Sequence, residues 1–286
     1  MFSKYSGAFL TWAARLTSPS LSQPIRISSL YPGERLLRNE LRESLKEIER
    51  LSMGVPFDFN NLQQRWVWVL FARQFELARD FYRAYSSNAI SGAQIILRSL
   101  LEASVDLFNL CADASYAENL EANDLKEWLK LMKEAGTNCN PYLSSLSEVE
   151  GLDEQGARWE QDLRRKTADG HGPLSAFARF DKAGMTDIYR SVYNSLCGYS
   201  HNSLRALMDR HIRVSDDKIE VFFSQHGPSR PAQWFLYLDL VIGLLGQGSS
   251  KALQLLGSHV SQARVLEEKI EKVRSDASRA SMDERK

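Results

Sequence analysis

The sequence predicts an all-α fold, a multi-helix bundle with one small β-hairpin. Apolar residues recur at three- and four-residue spacing over most of the chain, which is the period of an amphipathic helix. Only residues 212–223 have a strand-like composition, with two β-rich runs around a short polar turn. The apolar fraction of 43% is ordinary and supports a sizeable core. These three observations favour helices packed on helices, with the hairpin after the helix that carries His201.

Each predicted helix follows from its own apolar pattern and from the Gly, Pro, Asn or Ser residues that end it. The predicted ranges are 35–53, 61–85, 91–111, 113–135, 186–209, 232–245 and 250–274. Residues 91–111 are apolar around most of the helix circumference, which predicts a central helix. Residues 142–170 are charged and weakly periodic, so we expect a surface excursion there with one short helix.

Composition divides the chain into three parts. Residues 1–34 are rich in Ser and Pro toward their end, which predicts an N-terminal arm or short helix. Residues 35–255 form the predicted helical domain, with the hairpin near 212–223. Residues 256–286 are predicted to be a C-terminal helix with a frayed tail.

Charge and cysteine usage exclude several functional classes. Lys plus Arg and Asp plus Glu both number 36, and a neutral chain is a poor candidate for strong, general DNA binding. The 3 cysteines are far apart and form no metal-ligand spacing, so we predict no metal, no cofactor and a cytoplasmic location. No apolar run approaches the roughly 20 residues that span a bilayer, so no membrane partner is expected. Phosphate-binding loops, dinucleotide fingerprints and hydrolase elbows are also missing from the sequence.

A polar stripe crosses the predicted central helix. Its members are four residues apart and therefore lie on one helix face: Gln94, Arg98, Glu102 and Asp106. Charged side chains among apolar neighbours need partners or a wet cavity, because losing hydration is costly. Two interpretations stay open. The stripe is either a solvent-facing or internally paired structural feature, or it lines a pocket.

A second polar group lies on the predicted helix 186–209. Its members are Tyr193, Tyr199, Ser200, His201 and Asn202. Tyr193, Cys197 and His201 are four residues apart, so a continuous helix would present them on one face. The His201 imidazole could carry a proton near neutral pH. The alternative is a structural histidine that is hydrogen-bonded to a carboxylate of a neighbouring helix.

The segments Leu97–Leu110 and Tyr193–Ser203 together resemble a bacterial helical family of unknown function. That family carries an Arg-x-x-x-Glu helix, a later Tyr-x-x-Leu-[Ser/Cys]-x-x-x-His helix and a short strand pair. The resemblance covers roughly residues 60–245 and is similar in outline to the HEPN superfamily, which includes RNA-cleaving toxins and defence components. It implies a HEPN-like bundle and points to Arg98, Glu102, Tyr193 and His201.

The chain departs from the catalytic HEPN pattern at one place. Catalytic members have an Arg a short distance before the His, and the two meet at a dimer interface to promote metal-independent attack by the ribose 2′-hydroxyl. The window before His201 holds Asn194, Ser195 and Leu196, with no Arg. We therefore hypothesise that Arg98 reaches His201 through the fold.

The resulting predicted site has two parts. Its catalytic residues are Arg98, His201 and Glu102, and its ligand-binding residues are Tyr193, Tyr199, Ser200, Asn202 and Asp106. Three functions remain open at this point. The first is a HEPN-like defence or toxin protein that acts on RNA or binds a nucleotide and, if it is an enzyme, is a metal-independent endoribonuclease. The second is a non-catalytic helical interaction or oligomerisation module, with a homodimer as its expected form. The third is a small-molecule-binding protein with its pocket between the two motif helices.

Overall fold

A computed structural model describes residues 32–137, 140–201, 203–215, 218–221 and 231–283. The prediction of an N-terminal arm therefore lies almost wholly outside the described residues, as does Asn202. Residues 32–34, assigned to that arm, begin the first helix instead. Proline at the first helical position fits this start, because its fixed φ suits a helix and its missing N–H would have no partner there.

Three helices form the centre of the bundle: α1 (Pro32–Ser52), α2 (Leu62–Ser86) and α3 (Ile90–Ala112). Asn61 caps α2, since its side chain accepts a hydrogen bond from the Gln64 N–H at 3.0 Å. α3 packs against α2, α11 and α9 (both defined below), and its Leu97, Leu101 and Val105 are fully buried. The prediction that this helix is central is confirmed.

A helical arm follows α3. It comprises α4 (Tyr116–Gly136), a 3-10 turn (Pro141–Leu143), α5 (Ser144–Ser147) and α6 (Leu152–Ala168). α4 and α6 pack against each other, with the rings of Trp128 and Trp159 5.9 Å apart. The sequence prediction of one short helix here is wrong, because α6 has 17 residues. Its buried positions are Gly156 and Lys166 rather than leucines, so apolar spacing did not reveal it.

The next segment is a series of short helices: α7 (Ala176–Lys182), α8 (Thr186–Ile188), a π-helical turn (Tyr189–Tyr193), α9 (Asn194–Ser200) and α10 (Leu204–His211). The prediction of one continuous helix over 186–209 is therefore wrong. α9 ends at Ser200, and Ser203 starts α10 as an N-cap whose hydroxyl accepts a hydrogen bond from the Ala206 N–H at 3.3 Å.

Two short antiparallel strands follow α10. β1 (Ile212–Ser215) pairs with β2 (Lys218–Val221) in a register that places Ile212 opposite Val221 and Val214 opposite Ile219. β1 packs on α10.

Two long helices complete the bundle, α11 (Pro231–Leu255) and α12 (Val260–Asp283). α12 packs on α1 and α11 and buries Leu266, Ile270 and Ala277. Helical structure thus extends to Asp283, well into the tail that the sequence predicted to fray. Arg274 on α12 binds both carboxylate oxygens of Asp239 on α11 at 2.8 and 2.9 Å.

The fold class is all-α, as predicted, and one hydrophobic core is shared by α1, α2, α3, α11 and α12, with smaller contributions from α4, α7 and α9. Among the helices that the structure describes, none combines the length and the hydropathy needed to cross a bilayer.

Candidate functional site

The polar stripe of α3 forms a seam with the segment 176–211. Gln94 at one end accepts a hydrogen bond from Arg210 of α10 at 3.1 Å. Arg98 and Glu102 in the middle contact Tyr193 at the end of the π-helical turn. Asp106 at the other end pairs with Arg179 of α7. The stripe therefore holds the short helices against the central helix of the bundle.

Arg98, Glu102 and Tyr193 satisfy one another at the middle of the seam. The Arg98 guanidinium lies 3.0 Å from Glu102 Oε1, a pair that four-residue spacing on a helix favours. The Tyr193 hydroxyl donates to the same Oε1 at 2.5 Å and accepts from Arg98 Nη2 at 3.1 Å. Arg98 and Glu102 keep only 26% and 27% of their side-chain surface exposed. The three groups thus form a closed, largely desolvated network.

Cys197 and the Tyr193 ring complete the surroundings of Arg98. Arg98 Nε donates to Cys197 Sγ at 3.3 Å, and the guanidinium carbon lies 5.4 Å from the Tyr193 ring centroid. Burial, with a further contribution from the bond to Glu102, raises the pKa of the Tyr193 phenol. Tyr193 therefore remains protonated and acts as a hydrogen-bond donor at neutral pH.

The π-helical turn and an aromatic cluster set the position of Tyr193. Its ring is buried, stacks on Tyr189 at 5.2 Å and lies 4.8 Å from Phe180 of α7. A π turn is rare in proteins and is frequent at functional sites, because it redirects the side chains that follow it. Here it ends at the residue that joins the two charges of α3.

Asp106 belongs to a separate, deeper group. Its carboxylate accepts hydrogen bonds from Tyr116 at 2.6 Å and from Arg179 Nη1 at 2.8 Å. Burial raises the pKa of Asp106, and the Arg179 charge opposes that rise. Asn109 donates to the Arg179 carbonyl at 2.9 Å and so fixes the same turn of α7. The oxygens of the predicted ligand-binding residue Asp106 thus already bind donors from α4 and α7.

His201 does not join the network. It is the C-cap of α9, and its backbone leaves the helical path with φ −104°. The side chain is exposed, and within the described residues the contacts of Arg98 and Glu102 do not include it. Its backbone N–H donates to the Cys197 carbonyl at 3.0 Å, which places it one helical turn beyond the thiol that contacts Arg98.

Two other predicted residues lie near the end of α9, and one of them contacts α10. The Tyr199 hydroxyl donates to Asp209 at 3.3 Å, and the Tyr199 ring lies 6.0 Å from the Arg210 guanidinium. The Ser200 hydroxyl donates to the Leu196 carbonyl at 3.1 Å, a bond within its own helix.

The sequence matches a family described as "Family of unknown function (DUF5677)" over residues 64–219, which is more than half of the chain. The chain belongs to the DUF5677 family. No curated protein and no solved structure matches it.

The DUF5677 region begins in α2 and ends in β2, so it contains the whole polar stripe, the arm and His201. Sequence reasoning missed three residues that bind the stripe within this region: Tyr116, Arg179 and Arg210. One signal pointed toward Tyr116 and Arg179, since a carboxylate on a nearly apolar helix requires a nearby donor or cation. Within the described part of this DUF5677 chain, no three or more His, Cys, Asp or Glu side chains group as metal ligands would.

Proposed function

We propose that this DUF5677 protein is a non-catalytic helical interaction module of the cytoplasm. The observation that carries the proposal is an apolar surface on α10 and the hairpin, here called the α10–hairpin face. It consists of Leu204, Leu207, Met208, Ile212, Ile219 and Val221, which are all exposed, from 36% at Leu207 to 79% at Leu204. Six exposed apolar side chains on one short segment that packs together are typical of a macromolecular interface.

The polar stripe supports the same proposal. A catalytic group needs an unoccupied position toward its substrate, whereas Arg98, Glu102 and Tyr193 are already bound to one another. Their contacts fasten the end of the π-helical turn to α3, and the bond from Arg98 to Cys197 fastens α9. The bond from Arg210 to Gln94 fastens α10 in the same way. The seam would thus hold the α10–hairpin face in a fixed orientation on the bundle.

The HEPN-like alternative, an RNA-acting defence or toxin protein, is supported by a different observation. Arg98 and Glu102 remain about a quarter exposed, at 26% and 27%, and exposed His201 follows Cys197 by one turn. A bound RNA could draw the imidazole toward the guanidinium and allow metal-independent cleavage. A small-molecule pocket between the motif helices has less support, because Tyr193 directly bridges them.

An RNA-cleavage assay without divalent metal separates these proposals. The full-length protein and its His201→Ala variant are incubated with end-labelled single-stranded and structured RNA in the presence of a chelator, and melting temperatures are measured in parallel. The interaction module predicts intact RNA in both samples and equal melting temperatures. Cleavage by the wild type that His201→Ala abolishes, with the melting temperature unchanged, would refute the non-catalytic proposal.

A further inference from the structure

We propose that the partner at the α10–hairpin face is a second copy of this chain, joined through the free edge of β2. This inference rests on the proposed interaction module and names its partner.

The sheet is smaller than a stable sheet usually is. In the part of the chain that the structure describes, it has two strands of four residues, and its main packing partner is the eight-residue helix α10. Three or more strands are normally needed for a sheet to be stable in water. Within the described residues β2 pairs with β1 alone, so its other edge presents backbone N–H and C=O groups for pairing.

One face of the hairpin carries exposed apolar side chains. Ile219 and Val221 are two residues apart on β2, and Ile212 lies directly opposite Val221, so the three side chains share a face. They are 71%, 60% and 37% exposed, in that order. Water contact at three large aliphatic side chains is unfavourable, and burial by a partner removes it.

β2 carries opposite charges on the two sides of Ile219, so two antiparallel copies of β2 are complementary in charge. Lys218 and Glu220 flank Ile219. An antiparallel pairing of β2 with a second β2, centred on Ile219, places Lys218 opposite Glu220 of the second copy, and it does so twice. Opposite charges across an antiparallel pair are favourable. The chain has a formal net charge of zero, so two copies do not repel each other at long range.

This pairing has two-fold symmetry, the commonest symmetry of soluble homo-oligomers, and each copy uses the same surface. The two hairpins would become one four-stranded sheet, in the order β1–β2–β2–β1. Its apolar face would continue across both copies, because a two-fold axis perpendicular to the sheet keeps equivalent faces on the same side.

A charge-exchange experiment tests the pairing on the full-length chain by sedimentation equilibrium. Wild type is expected at twice its mass of 32.5 kDa. Lys218→Glu and Glu220→Lys each create like-charge pairs, so each variant alone should bind itself at least about tenfold more weakly. An equimolar mixture of the two variants restores opposite charges and should recover the dimer, as should the double variant Lys218→Glu/Glu220→Lys.

Lys130→Glu and Glu127→Lys are the matched controls. They make the same charge changes on the arm, where both side chains are exposed, and should leave dimerisation intact. Dimers of equal strength in Lys218→Glu and in wild type would overturn the proposed edge. A monomeric wild type at all concentrations would overturn the second copy as the partner. In that monomer, slow amide exchange at Ile219 and Val221, whose amides face away from β1, would show that another segment of the same chain covers the edge.

These outcomes are independent of the RNA assay. A protein that stays monomeric and leaves RNA intact contradicts only the self-association. A dimer that cleaves RNA through His201 contradicts only the non-catalytic proposal.

Discussion

The Tyr193 hydroxyl connects the charged side chains of Arg98 and Glu102, which would otherwise have hydrogen-bonding capacity left unused on α3. A surface Arg–Glu pair at four-residue spacing contributes only a few tenths of a kcal/mol in isolation. The Tyr193 hydroxyl adds a donor for Glu102 at 2.5 Å and an acceptor for Arg98 at 3.1 Å, both to ionised groups. Hydrogen bonds to charged groups are stronger than neutral ones, and they are worth more where water is largely excluded.

Removing that hydroxyl should measurably destabilise the fold. For Tyr193→Phe we expect the free energy of unfolding to fall by about 1–2 kcal/mol, because the ring packing is kept and two bonds to charges are lost. Urea denaturation measures the change. Tyr199→Phe is the control: its hydroxyl makes a long bond of 3.3 Å to Asp209, so the loss should stay below about 0.5 kcal/mol. Equal effects of the two substitutions would contradict a structural role for the network.

Glu34 on α1 gives a prediction for pH dependence. Burial is the main cause that raises the pKa of Glu34, against the opposing bond from Tyr85 and the charge of Arg38. The pKa of Glu34 is therefore higher in the folded protein than its value of about 4.3 in the unfolded chain. The protonated Glu34 carboxyl consequently stabilises the fold most below about pH 4.3. That contribution is lost as pH rises through the folded pKa. The Glu34→Gln variant lacks this loss, so its stability relative to wild type should rise between about pH 4 and 7.

Denaturant unfolding at several pH values tests this sign. Glu43→Gln is the control, because the hydrogen bond from exposed Lys46 lowers the pKa of Glu43. Its stability relative to wild type should therefore change in the opposite direction and at lower pH. It should fall slightly as pH rises through the lowered folded pKa to about pH 4.3 and stay level above that. A Glu34→Gln curve parallel to that of wild type would contradict the buried, pKa-raised carboxyl.

At the scale of elements, the long helices were predictable because each has a regular apolar stripe. The predicted and observed ranges of α1, α2 and α3 differ by a few residues at their ends. α6 was not predictable in this way, since it packs through Gly156, Trp159 and Lys166 rather than through a leucine stripe. The π-helical turn at Tyr189–Tyr193 was also not predictable from apolar spacing. It differs from an α-helix in its backbone hydrogen bonds, and no change in composition marks it.

Lys166 should hold the arm together. It is buried and pairs with Glu118 and Glu121 of α4, the latter at 2.8 Å. In Lys166→Met the two carboxylates lose their shared cation, so α4 and α6 should separate more often, at a cost of about 1–2 kcal/mol. Hydrogen exchange of α6 amides should speed up accordingly while α3 amides stay protected. Lys130→Met is the control: it changes an exposed position on α4 and should alter neither the stability nor the exchange of α6 amides. Unchanged α6 exchange in Lys166→Met would contradict the role of Lys166 in holding α4 and α6 together.

At the scale of the whole molecule, the candidate site was predictable only in part. Spacing placed Arg98 and Glu102 on one face of α3 and left their pairing as one of the open interpretations, and the family resemblance pointed to Tyr193. Arg98 and Tyr193 are 95 positions apart in the sequence, and their contact depends on how α9 packs on α3. The expected approach of His201 failed to appear because α9 ends at Ser200, a boundary that the apolar pattern does not mark.

The docking of α12 on α1 is a further property of the whole molecule. A Cβ added at Gly33 would lie 2.5 Å from the Ala277 carbonyl oxygen and would also meet Ser281. Gly33→Ala should therefore displace α12 and lower the melting temperature by about 3 °C or more. Gly92→Ala is the control, since its added Cβ meets nothing within 4 Å, and the melting temperature should stay equal or rise. Equal melting temperatures of Gly33→Ala and wild type would mean that α12 is not held there.

The structural role of the seam between α3 and α9 can be measured directly by comparing Arg98→Ala with His201→Ala in urea denaturation. Arg98→Ala removes the partner of Glu102, Tyr193 and Cys197, so we expect the free energy of unfolding to fall by about 2–3 kcal/mol. His201→Ala removes an exposed side chain and should change it by less than about 0.5 kcal/mol. An Arg98→Ala variant as stable as wild type would contradict a structural seam and would mean that Arg98 is not needed to hold the fold.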